Sequence, residues 1–197
     1  MPRVAEDRSP AEPTSTEQKA RYRRILVAAA RQGAEKGLER VQMHDVAREA
    51  GVAIATLYRY FPSKTHLFTA LMRSQMGRLA DASVGPAPDD SPEEGITRLL
   101  VNAGQELLRT PLLAHAMIQA NNAMVAQAPD AAVTEDFIDL MLRAGGIDEP
   151  TTHDRKLCRL LNQAWYGVVI AALNQSGDAD ELGADTELIC RLILRDR

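Results

Sequence analysis

QMHDVAREAGVAIATLYRYFPSK, residues 42–64, holds two short apolar-periodic segments parted by a glycine and closed by Pro-Ser-Lys. In the first segment Val46, Ala47 and Ala50 form an apolar stripe. Gly51 follows where a helix must stop at positive φ, a conformation that a residue without Cβ adopts at little cost. Val52 then fills the angle before the second segment. At ~100° per residue, Ile54, Leu57 and Phe61 gather on an inner side of residues 54–61. The same wheel is read as turning Ala55, Thr56, Arg59 and Tyr60 outward, with Tyr58 on a flank. Two short helices joined by a tight glycine turn spell a helix-turn-helix, whose second helix is built to enter the major groove of DNA. Small residues there allow close approach, while hydroxyls and a guanidinium reach phosphates and base edges. His44, Thr56, Arg59 and Tyr60 are therefore candidate base contacts, Gln42 and Ala55 lie beside them, and Tyr58 is a candidate phosphate contact.

Pro62-Ser63-Lys64 starts the next helix, with Ser63 as its N-cap. A lysine at a helix N-terminus opposes the macrodipole, and a DNA phosphate would compensate it. A solvated surface lysine is the plainer reading of the same residue.

The run Val46-Ala47, Ala50-Gly51-Val52, Thr56 to Phe61 and Lys64 resembles the N-terminal domain of TetR-family transcriptional regulators. The resemblance is specific over roughly residues 18–75 and weak beyond them. It implies an all-α homodimer in which the lysine at position 64 touches the phosphate backbone. Tyr60 departs from the pattern, which commonly has histidine there. More narrowly, VQMHDVA, TLYRYFPSK and the later TPLLAHAM are similar to the actinobacterial repressors of cholesterol catabolism, the KstR-like group. That likeness implies a sterol-catabolism intermediate or acyl-CoA as effector, and lipid-degradation genes as targets. A regulator of efflux or other metabolism that senses a drug-like compound is the alternative.

Charge divides along the chain. Residues 1–80 carry 14 Lys and Arg against 8 Asp and Glu, whereas residues 81–197 carry 9 against 19. A basic head on an acidic body is the electrostatic footprint of a DNA-binding module joined to a regulatory one. We therefore divide the 197 residues into an arm at 1–15, a head at 16–80 and an effector-binding and dimerisation body at 81–197. The arm is rich in Pro and charge, without periodicity, and reads as unstructured. Its Arg3 and Arg8 could reach a minor groove, although a plain tail accounts for them too. Thr16 can cap a first helix running to about Gly37, whose early Lys19, Arg21, Arg23 and Arg24 suit phosphate contact. A solubilising face is the other reading of these four. The stretch VGPAPDDSP, residues 84–92, reads as a linker. Helices are expected at 92–108, 111–127, 130–145, 153–175 and 181–195, with no strand and no repeat.

The segment at 153–175 is apolar nearly all round, and Leu188, Ile189, Leu192 and Ile193 give the last helix the same character. Pairing of these last two helices across a two-fold axis would bury the surplus. Asn102, Gln105, Met117, Asn121, Met124, Phe137, Met141, Asn162, Trp165 and Tyr166 mix apolar walls with a few amides and a phenol, the chemistry of a small-molecule pocket. They describe an ordinary core with satisfied polar groups equally well. Cys158 and Cys190 fit no metal spacing and read as reduced, buried residues. The four histidines form no metal or catalytic pair, and no nucleophile elbow or phosphate loop occurs, so no cofactor, metal or enzymatic activity is expected. No apolar run follows Met1 or is long enough to span a bilayer, so the expected location is the cytoplasm, away from membranes. The reading is thus a ligand-responsive repressor on a palindromic operator, and a helical protein-interaction scaffold is its alternative outside DNA binding.

Overall fold

The computed structural model describes residues 10–82, 91–175 and 178–195. These residues fold into α-helices and one 3-10 turn, with no strand among them. The helices are α1 Thr16–Arg40, α2 Met43–Glu49, α3 Ile54–Tyr60, α4 Lys64–Ala82, α5 Pro92–Arg109, α6 Pro111–Gln127, α7 Thr134–Ala144, α8 Thr152–Asn174 and α9 Ala179–Leu194. Most expected starts agree within two residues. The helix expected from 130 begins four residues later, because Pro129–Ala131 forms a 3-10 turn first. The expected linker falls mainly on residues 83–90, outside the described ones.

The ends follow from side chains. Ser15, and not Thr16, caps α1 by accepting from the Gln18 N–H at 3.2 Å. Ser91 with Glu94 and Thr151 with Asp154 close reciprocal capping boxes at α5 and α8. Two helices stop on left-handed glycines. Gly51 (φ 64°) and Gly146 (φ 65°) each follow the last turn of a helix. In both places the next residue bonds five back, Val52 to the Ala47 carbonyl and Ile147 to that of Leu142. This double closure satisfies carbonyls that the helix end would leave unpaired.

The chain divides into two compact units, and the division is not the expected one at residue 80. The first unit runs through Ser74 and adds Leu112–Ala132, so α6 packs with the head. Ile25 and Ala29 of α1, Val46 of α2, Leu57 of α3, Phe68 and Leu71 of α4, and Ala114 of α6 are all buried. Gly33 makes the α1 crossing close: a Cβ there would lie 2.7 Å from Phe68 Cε1 and 2.9 Å from Leu113 Cδ1. Both neighbours are buried and cannot swing aside. Gly33→Val should therefore destabilise the protein by about 1–3 kcal/mol despite a better helix former, which chemical denaturation will read as a lower midpoint at unchanged slope.

The second unit contains α5, α7, α8 and α9. Ile96, Leu99 and Leu100 of α5 meet Leu182, Cys190 and Leu194 of α9 and Cys158, Leu161 and Val169 of α8 in one buried core. Glycines again set the spacing. At Gly95 a side chain would collide with the Ala144 carbonyl, and at Gly104 with Leu182. Cys158 and Cys190 are free and buried, and burial pushes the Cys190 thiol above its usual pKa.

Candidate nucleic-acid interface

In the first unit α2 and α3 are held by contacts that cross the motif. Arg24 Nε of α1 donates to the Ala50 carbonyl at 3.2 Å, tying α1 to the end of α2. Gln32, buried in α1, donates its amide to Glu49 Oε2 at 2.9 Å. The turn is fixed by Gly51, and Leu57 and Phe61 anchor α3 inward. What remains outward on α3 is Ala55, Tyr58 and Arg59, with Thr56 half-exposed. Tyr58 is 41 % exposed, an unusual setting for a large ring. Gln42 and His44 are exposed at the start of α2. Lys19 and Arg23 of α1 are exposed as well, whereas Arg21 is half-buried and Arg24 serves the turn.

One expected contact is corrected. Tyr60 does not face outward: it is 2 % exposed and packs edge-on against Tyr22 at 5.7 Å between ring centroids. Phe61 completes the cluster, 4.8 Å from Tyr22 and 6.3 Å from Tyr60. The reason is helical spacing, because Tyr60 stands three residues from Leu57 and shares its face. Its hydroxyl accepts from Arg59 Nη2 at 3.1 Å, and the Arg59 guanidinium carbon lies 5.0 Å from its ring centroid. Tyr60 is thus a buttress for Arg59. Burial also raises the pKa of the neighbouring Tyr22 phenol, opposed in part by Arg73.

Lys64 is half-buried at the start of α4. Its ammonium donates to the Leu38 and Glu39 carbonyls at 3.1 and 3.2 Å, near the end of α1. Gly37 has left the helical region just before them (φ 69°), and the Leu38 carbonyl also accepts from the Val41 N–H at 3.3 Å. Carbonyls of the chain itself thus help to compensate the lysine that the dipole of α4 disfavours. Ser63 does cap α4, accepting from the His66 N–H at 3.3 Å, and lies 2.8 Å from His66 Nδ1. Burial holds the His66 imidazole below its ordinary pKa.

The arm also differs from expectation where it is described. The Ala11 N–H donates to the Arg59 carbonyl at 3.0 Å, and the Thr14 N–H to Gln18 Oε1 at 2.9 Å. Residues 10–15 are thus pinned beside the end of α3. Arg3 and Arg8 lie outside the described residues. Nothing in the periodicity of the arm marks this tether, since it is made by backbone.

The residues expected to form a ligand pocket are divided. Met117, Asn121 and Met124 belong to the first unit, and the remaining seven to the second. Met117, Met124, Phe137, Met141 and Trp165 are buried, and Asn121, Gln105 and Asn162 are half-buried. Asn102 and Tyr166 are exposed, which removes them from an enclosed wall. An open groove of about 530 Å³ runs along the first half of α8 beside Arg155, Lys156, Arg159 and Leu160, and none of the expected residues lines it. Among the described residues no cluster of three metal-ligating side chains occurs, and no helix is long and apolar enough to cross a membrane.

Comparison with known proteins matches residues 25–71 to the bacterial regulatory proteins of the tetR family. Residues 90–193 match the Tetracyclin repressor-like C-terminal domain. The HTH-type transcriptional repressor KstR of Rhodococcus jostii (strain RHA1) is 34 % identical over 187 residues, covering 93 % of this chain and 87 % of that protein. Among solved structures, a TetR transcriptional regulator from Rhodococcus sp. RHA1 is 48 % identical with a TM-score of 0.80, over 90 % of this chain and 97 % of that one. Thermus thermophilus FadR, solved in complex with lauroyl-CoA, shares the fold at a TM-score of 0.65 and 16 % identity, over 88 % and 93 % of the two chains. With an all-helical fold, a glycine-closed helix-turn-helix and matches over both parts of its length, the chain belongs to the TetR family of helix-turn-helix transcriptional regulators.

Proposed function

We propose that this TetR-type repressor binds a palindromic operator as a homodimer and is released by a small apolar effector. The observation that carries the DNA-binding part is the outward set on the clamped motif: Gln42, His44, Ala55, Thr56, Tyr58 and Arg59. Arg59 is the specificity-bearing member, held by Tyr60 from one side and tethered through its carbonyl to Ala11. Arg24, Tyr60 and Lys64 act by holding the head in shape. In the second unit Leu160 and Tyr166 of α8 and Leu188 and Leu192 of α9 are large, apolar and exposed. A monomer has no use for that surface, and pairing of α8 and α9 with those of a second copy would cover it. Two heads on one dimer read two half-sites.

The likeness to repressors named KstR supports a lipid-derived effector, a sterol catabolite or acyl-CoA, which Phe137, Met141 and Trp165 would meet with aromatic and pliable walls. FadR adds that the fold accommodates an acyl-CoA. Such a ligand would favour a state in which the two heads no longer suit the operator. A repressor that binds an operator works where the DNA is, so we assign the chain to the cytoplasm.

The test is the salt dependence of binding to an operator selected from random duplexes. Neutralising six to ten phosphates should cost ~10³–10⁵ in affinity between ~50 and ~200 mM salt. A flat response would replace this reading with the scaffold alternative, and equal affinity for unselected DNA would overturn operator recognition.

A further inference from the structure

We infer that the indole N–H of Trp165 is the polar anchor of the effector site, and that it selects an apolar ligand carrying a carbonyl oxygen. This rests on the effector-binding reading above and narrows the chemistry of the ligand.

Trp165 is the one tryptophan of the chain. It lies on the inner stripe of α8 between Leu161 and Val169, with Cys158 and Leu173 further along, all buried. From α7 the Phe137 ring lies over it at 5.4 Å between centroids and 31° between planes. Met141, one turn further on the same face of α7, is wholly buried. Asp154 heads the buried stripe of α8 but is closed into the capping box with Thr151, and no other buried side chain of α7 or α8 offers an oxygen acceptor. Trp165 is 7 % exposed, and its Nε1 has no hydrogen-bond partner.

Among the described residues three other buried polar atoms share that condition: Gln32 Oε1, Thr69 Oγ1 and Thr186 Oγ1. They differ in kind. The Gln32 amide is already engaged through its nitrogen, and a helical threonine hydroxyl can turn to the carbonyl one turn back. An indole N–H is a donor only, fixed in the ring plane, and cannot be redirected without moving the ring. Phenylalanine or leucine would fill an apolar stripe without leaving a buried donor unpaired, which is penalised. A donor kept in such walls, against a thioether that can reshape around a guest, is the arrangement that lets a site demand one acceptor from a hydrophobic ligand. It would reject analogues that lack the acceptor, because the donor would then stay unpaired. No cation belongs to the two stripes, so the acceptor is a neutral carbonyl and not a carboxylate. An acyl thioester and a steroid ketone both supply it.

The experiment titrates the full-length protein with lauroyl-CoA and, separately, with progesterone by calorimetry, following the emission of the single tryptophan in parallel. The indole is then replaced biosynthetically by its benzothiophene isostere, which removes the N–H at nearly constant shape, and separately by Trp165→Phe. At least one probe should bind the native protein and move its emission. That probe should bind both altered proteins about tenfold more weakly, the effect of one neutral hydrogen bond. The probe that does so identifies the source of the carbonyl. Equal affinity for native and isosteric protein overturns the anchor and leaves the effector reading standing. Binding of neither probe overturns the carbonyl class. If the tenfold loss is seen but the bound probe leaves operator affinity unchanged, the anchor stands and the effector reading fails.

Discussion

Leu188→Arg together with Leu192→Arg should yield a folded monomer whose affinity for a palindromic operator falls by about 10²–10⁴. The size of the loss comes from valency. With two linked heads the second half-site is bound at an effective concentration near millimolar, and separating the heads removes that advantage without touching either reading surface. The substitutions are chosen because Leu192 is 65 % and Leu188 47 % exposed, so a lone chain tolerates arginine at both within a few tenths of a kcal/mol. Across a two-fold axis each substitution occurs twice, and four cations would be brought into one apolar seam. Sedimentation of the variant should show one chain per particle with an unchanged helical spectrum. Gly167, exposed on α8 with nothing within 4 Å of where its Cβ would stand, gives an independent reading. On a solvent face Gly167→Ala would stabilise the helix by about 1 kcal/mol, and in a close helix–helix seam it would not. A doubly substituted protein that remains dimeric would place the two-fold contact elsewhere.

How much of this was legible in the sequence depends on whether a signal is local. Gly51 and Gly146 announce helix stops because positive φ is a property of one residue. The Ser91-to-Glu94 and Thr151-to-Asp154 pairs announce starts because both partners lie within one turn. These signals mark the ends of α2 and α7 and the starts of α5 and α8. What local signals do not carry is where a side chain goes once helices pack. Lys64 meets carbonyls 25 and 26 residues away, and Arg24 one 26 away. No periodicity predicts that. The position of α6 was unreadable for the same reason. Its ties to the head, Leu113 against Gly33 and Gln119 Nε2 to Glu39 Oε1 at 3.0 Å, join residues some 80 apart. Tyr60 is different, since its burial follows from standing three residues after Leu57 and was available on the wheel. The candidate ligand residues were recoverable as types but not as a set, because alternation of apolar and amide residues does not say which helices will share a core.

Separate substitutions at Arg59 and Tyr60 should divide reading from support. Arg59→Ala removes an outward guanidinium from a position where folding needs it little, since its one side-chain bond is to the Tyr60 hydroxyl at the surface edge of the aromatic cluster. Loss of a base or base-proximal contact costs about 1–3 kcal/mol per head, so a dimer should bind its operator about 2–6 kcal/mol more weakly while unselected DNA is affected less. Thermal stability should stay close to native. Tyr60→Ala acts in the reverse order. It empties the space beneath Tyr22 and Phe61, and large-to-small changes of buried rings cost about 3–5 kcal/mol of stability. Tyr60→Phe separates the two roles within one side chain, because it keeps the packing and removes only the hydroxyl that Arg59 grips. It should leave the unfolding midpoint nearly unchanged and reduce operator affinity by part of the Arg59→Ala effect. In combination the two losses should be less than additive, since a guanidinium already absent cannot be misplaced. Denaturation and fluorescence anisotropy on a labelled operator give both quantities for each variant. Additive losses from Tyr60→Phe and Arg59→Ala would show the phenol acting on DNA by itself and would return Tyr60 to the reading face.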